Sequence, residues 1–196
     1  MQSVLLAVDR INAWIGKTFA WSIVLLTAFV CYEIFVRTVF RSPTTWIFDA
    51  SYILYGTLFM MAGAYALSRN AHVRGDFLYR KFSPRTQAWF DLVLYAIFFM
   101  PAIFAFMIAG WSFFHASWLQ NERSAFSPAG PVIWPFKAII PIVGFTLLIQ
   151  GIAEMIRCGI CIRDGDWPHR LHDVEEMEKL ILERAEAART GTDEAR

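Results

Sequence analysis

Polar and apolar residues fall in blocks along this chain. Four apolar runs dominate, at about 18–36, 46–67, 88–118 and 132–156. At 1.5 Å per residue each is long enough to cross a hydrocarbon core of about 30 Å as a helix. The second run is the plainest. Between Asp49 and Arg69 it holds no ionisable group but tyrosine phenols, and Ser68-Arg69-Asn70-Ala71-His72-Val73-Arg74-Gly75-Asp76 ends it. The pattern predicts an all-α integral membrane protein with four transmembrane helices. It adds an amphipathic cytoplasmic helix between spans two and three and a cytoplasmic C-terminal helix.

The connecting segments carry the polar residues. Residues 1–17 place Val4, Val8, Ile11 and Ile15 at helical spacing, with Asp9, Arg10 and Asn12 among them. Such a segment fits either an interfacial helix or a watery extension of span one. The spans occupy a membrane domain at 18–157. Between spans two and three, Phe77, Leu78 and Phe82 interleave with Arg74, Arg80 and Lys81, as in a helix lying flat on a membrane. Ser83-Pro84 reads as an N-cap with proline at the first helical position. The tail, 158–196, repeats Val174, Met177, Ile181, Ala185 and Ala188 between charges, an amphipathic stripe. Trp46, Trp89, Trp118 and Trp134 fall near span ends, where indole rings anchor at headgroups. Gly56 and Gly63 lie seven apart on one helix face, which lets another helix approach closely.

Composition agrees with this. Of 196 residues, 57% are hydrophobic and 18% charged, against about 25% charged in soluble domains. A net charge of +1 offers no nucleic-acid signature. The first apolar run lacks a basic leader and a small-residue cleavage site, so it reads as a retained span. Basic residues divide unevenly. Arg10, Lys17, the central loop, Arg157, Arg163 and Arg170 share one side, while Arg37, Arg41, Arg123 and Lys137 share the other. The positive-inside rule then puts both termini in the cytoplasm.

Candidate chemistry is sparse. A carrier needs ionisable or strongly polar groups near midplane. Here Glu33, Asp49, Arg69, Asp91, Lys137 and Glu154 all fall towards span ends, leaving Ser22, Thr27, Thr57, Thr146 and Gln150 between. The chain is therefore not expected to hold a substrate path alone, to catalyse a reaction, or to carry a metal or other cofactor. Two alternatives stay open: a four-helix membrane redox protein and a small homodimeric exporter. The redox reading would use haem, or the Cys158-Gly159-Ile160-Cys161 pair with or without His169 and His172. No two of His72, His115, His169 and His172 fall at one depth on facing spans. Glu33, Arg37 and Asp49 are expected near one another at the outer face, as an internal pair or as a contact with another subunit. Arg74 and Asp76 carry the same two readings.

Several motifs point to a family. Tyr32-Glu33-Ile34-Phe35-Val36-Arg37, Ser42-Pro43, Trp46 and Gly63-Ala64 lead to the most specific, His72-Val73-Arg74-Gly75-Asp76, then Leu78 and Ser83-Pro84-Arg85. Over roughly 10–157 the chain resembles the small membrane subunit (Q-type, small permease) of TRAP transporters, the tripartite ATP-independent periplasmic carriers of bacteria. Asp49 and Gly75 depart from the glutamate and the apolar residue that the resemblance leads one to expect. The resemblance implies a scaffold subunit of a sodium-coupled importer in the bacterial inner membrane. Its implied partners are a large membrane subunit, which holds solute and sodium, a periplasmic solute-binding protein that delivers a small solute such as an organic acid, and membrane lipid. Glu33, Arg37, Asp49, His72, Arg74 and Asp76 are then candidate subunit-interface or structural charges. Glu122 and Arg123 are candidate contacts for the binding protein. Trp46, Phe77, Phe82, Trp89, Trp118 and Trp134 are candidate interfacial anchors.

Overall fold

A computed structural model describes residues 2–69 and 82–168. His72, Arg74, Asp76, Phe77 and the tail beyond Pro168 lie outside them. The described chain is helical: α1 (Gln2–Ala20), α2 (Ser22–Phe35), α3 (Ile47–Ser68), α4 (Pro84–Leu94), α5 (Met100–Leu119) and α6 (Trp134–Asp164). Wider π turns, Val36–Phe40 and Tyr95–Phe99, follow α2 and α4. These pieces join into four long apolar rods, Gln2–Phe40, Ile47–Ser68, Pro84–Leu119 and Trp134–Asp164, each long enough to cross a membrane. The protein is an all-α, four-span membrane protein.

Local chemistry explains the joints. Pro101 has no N–H to bond the carbonyl of residue 97, and the widened turn Tyr95–Phe99 sits at that gap. Between α1 and α2 the Trp21 N–H bonds the Thr18 carbonyl at 3.3 Å, a tightened turn that leaves the rod continuous. Arg41 turns left-handed (φ 52°) after the first rod. Gly165 does the same (φ 92°) after α6, and its N–H bonds the Cys161 carbonyl at 2.8 Å.

Helix α6 is the hub, packing on α1, α3, α4 and α5. Rods two and four run parallel, because Gly56 meets Phe136 while Gly63 meets Leu147. The α5–α6 seam is antiparallel: Gly110 lies on Ile140, Gly144 on Met107 and Gly151 on Phe99. Both glycines of α3 thus face α6, the close approach their spacing predicts. At the end of the bundle where the chain begins, Ala88, Cys158 and Cys161 form a small buried core beside Leu92, Tyr95, Ile162 and Trp167. Cys161 Sγ reaches the Pro84 carbonyl at 3.5 Å. In this structure the CxxC serves as packing between α4 and α6.

Candidate functional site: buried polar clusters and open apolar faces

The first cluster closes the end of the bundle that carries the 120–133 hairpin. Asp49, in the first turn of α3, is buried and accepts from Ser124 Oγ at 2.6 Å and from Ser127 Oγ. Its charge also suits a helix N-terminus. Glu122 pairs with Lys137, whose Nζ lies 3.8 Å from the Phe113 ring centroid. The ammonium donates to the Glu122 carboxyl and holds it below the ordinary glutamate value of 4.5. Arg123 donates to the Gly130 carbonyl at 3.2 Å and bridges Val132 across the hairpin. A cavity of about 330 Å³ lies beneath, with Tyr52, Phe113 and Phe136 in its wall and Asp49, Glu122 and Lys137 as its charged groups.

On the same side of the bilayer, Glu33 accepts from Arg37 at 2.9 Å, from the Thr44 N–H at 3.2 Å and from Thr44 Oγ1. Of the three charges expected together, Glu33 and Arg37 pair with each other, while Asp49 takes the hairpin serines. Glu33 and Arg37 brace the loop after the first rod, and Asp49 holds the hairpin. The anchors behave alike: Trp46, Phe82, Trp89 and Trp118 are exposed. Trp134 stacks on Trp118 with ring centroids 6.1 Å apart.

The second cluster sits between α1 and α6, and its residues carry no site role in the sequence reading. Arg157 and Asp9 are 0% and 1% exposed. The Arg157 guanidinium lies 2.5 Å from both Asp9 and Glu154 and reaches the Leu5 carbonyl at 3.3 Å. Gln150 Nε2 donates to Asp9 at 2.9 Å and to Glu154 at 3.2 Å, and Asn12 donates to Gln150 at 2.7 Å. Gln150, Glu154 and Arg157 share one face at spacings of four and three, the only trace of this cluster in the sequence. Asp9 and Asn12, three apart, read there as a solvated face.

The outer surfaces are strongly apolar. Neither α2 nor the following π turn buries a single residue. Along the third rod, Ile97, Phe98, Phe104, Ile108 and Trp111 stand exposed. Among the described residues no three His, Cys, Asp or Glu side chains are placed to share a metal ion.

This four-rod unit also matches a described family. Tripartite ATP-independent periplasmic transporters, DctQ component, matches residues 26–159, more than half of the chain. The chain belongs to that family. No curated protein matches it. The DctQ match takes in the Glu33, Asp49 and hairpin clusters. It also takes in Gln150, Glu154 and Arg157, but not Asp9 and Asn12, so the second cluster ties a segment outside the match to one within it. As a DctQ component, this chain is a membrane part of a transporter.

Proposed function

We propose that this DctQ component is the small scaffold subunit of a sodium-coupled importer. The importer takes a small solute, an organic acid, from a periplasmic binding protein. The chain sits in the bacterial inner membrane with both termini in the cytoplasm. It pairs with the large subunit and binds neither solute nor sodium itself. One observation carries this reading. Among the described residues, the buried charges Arg157, Lys137 and Asp49 are held by partners from the same chain: Arg157 by Asp9 and Glu154, Lys137 by Glu122, Asp49 by the hairpin serines. A solute site in a membrane needs polar groups held ready for the solute, and these charged groups are engaged with partners of the same chain. The open apolar faces of α2 and α5 suit lipid and a second membrane protein.

Reconstitution tests the proposal. This chain alone in proteoliposomes gives no solute flux with the binding protein and a sodium gradient, and flux returns when the large subunit is added. Flux through this chain alone would overturn it. Arg37→Ala and Asp49→Ala lower the yield of large subunit that co-purifies with the chain. Intact assembly with lost sodium dependence would place the ion site here instead. His72, Arg74 and Asp76 belong to the same proposed set of assembly charges, and Glu122 with Arg123 to the proposed contact with the binding protein.

A further inference from the structure

Helix α1 is built inside out for a helix in water. It buries Leu5, Asp9, Asn12, Ala13 and Gly16. The side away from the bundle carries Val4, Ile11 and Trp14, with Trp21 at the junction to α2; these are 65%, 58%, 70% and 70% exposed. Its rotation is pinned at three levels. Arg157 and Gln150 hold Asp9, Gln150 holds Asn12, and Gly16 lies so close to Tyr65 that an added Cβ would stand 2.5 Å from that residue's Cβ. The helix cannot roll to cover its apolar side without stripping a buried ion pair.

The position of α1 says what covers that side. Glu33 meets Thr44 in the loop after the first rod, and Phe29 packs on the anchor Trp46 with ring centroids 5.3 Å apart. From Glu33 back to Trp14 the rod uses about 30 Å of helix, one hydrocarbon thickness. Trp14 therefore marks the bilayer boundary, Trp21 lies within the hydrocarbon, and the start of α1 continues into the headgroup layer. Two cations, Arg10 and Lys17, stand exposed on α1. Tryptophan, aliphatic residues and lysine or arginine on one helix are the chemistry of an anionic phospholipid surface. We infer that the Val4, Ile11, Trp14 and Trp21 face of α1 is seated in phospholipid of the leaflet at the chain-terminus end. Arg10 and Lys17 lie on headgroup phosphates, and the buried Asp9–Arg157 pair sets the rotation that presents this face.

The test uses the full chain, with Cys31→Ser, in nanodiscs of phosphatidylethanolamine and phosphatidylglycerol. Nitroxide labels are placed at Ile11→Cys and Trp14→Cys, with Arg163→Cys, an exposed charge at the end of α6, for comparison. Collisions with oxygen report lipid, and collisions with a water-soluble nickel chelate report solvent. At Ile11 and Trp14 the oxygen-to-nickel ratio is several-fold higher than at Arg163, and it persists when the large subunit is bound. A ratio favouring nickel overturns the inference, since the face is then in water. Loss of oxygen collisions on adding the large subunit overturns it in favour of a protein partner, and spin–spin broadening in favour of a second copy. Adding Asp9→Ala to the Ile11 label lowers the ratio several-fold, whereas Asp9→Asn, which keeps a hydrogen-bond acceptor, lowers it less. A ratio unmoved by Asp9→Ala would remove the ion pair's part in the rotation.

Discussion

Replacing Arg157 with methionine is the sharpest perturbation of this bundle. The guanidinium is fully buried and reaches Asp9, Glu154 and the Leu5 carbonyl. Methionine keeps much of the volume and removes every one of those donors, leaving two carboxylates inside the α1–α6 seam. Removing one partner of a buried pair costs about 3–5 kcal/mol, because the remaining charge is stranded. That is roughly a 10²- to 10⁴-fold shift in the unfolding equilibrium at about 1.4 kcal/mol per factor of ten. Asp9→Ala is milder, at about 1.5–3 kcal/mol, since it removes charge-assisted hydrogen bonds while Arg157 keeps Glu154. The double variant Asp9→Ala/Arg157→Met strands one carboxylate rather than two, so its loss is smaller than the two single losses added together. Unfolding in mixed micelles with increasing dodecyl sulfate, followed by circular dichroism, measures all three. A loss under about 0.5 kcal/mol for Arg157→Met, the range of ordinary surface changes, would refute the reasoning.

Gly16→Ala drives a methyl into Tyr65 at a helix–helix contact and lowers stability by about 1–3 kcal/mol. Gly159→Ala meets nothing within 4 Å and, through helix propensity, raises stability by up to about 1 kcal/mol; the same unfolding assay reads both. The Glu122 carboxyl lies below its ordinary value of 4.5, so its contribution to the hairpin is complete above that pH. The contribution is lost as pH falls through the lower folded value. Proteolysis at the hairpin therefore rises in acid, and Glu122→Gln, already lacking the charge, removes most of this pH dependence.

How much was legible differs between the two clusters. The four spans, the glycine face of α3 and the pairing of Glu33 with Arg37 follow from local spacing, because helical periodicity alone decides them. The partition of Glu33 and Asp49 between two loops was not legible. Both lie on the same side of the membrane, and only the fold of the hairpin brings Ser124 and Ser127 to Asp49. The α1–α6 network was the least legible. Asp9 and Gln150 are 141 residues apart, and a polar pair on an amphipathic segment looks the same whether it meets water or a buried arginine. The packing of the CxxC was not legible for a related reason: its spacing suits metal or redox chemistry, and only the tertiary structure brings Cys158 and Cys161 against Ala88.

By itself the sequence determined that this chain is a four-span helical membrane protein, while the rods run past several of the expected span bounds, the first from Gln2 to Phe40 rather than 18–36. Desolvating backbone and charge in hydrocarbon is so unfavourable that block composition alone dictates the spans. Only the tertiary structure decided which way α1 turns and which charges hold one another. Those outcomes rest on geometry between distant segments, where a buried carboxylate is tolerable only if a guanidinium stands within hydrogen-bonding reach.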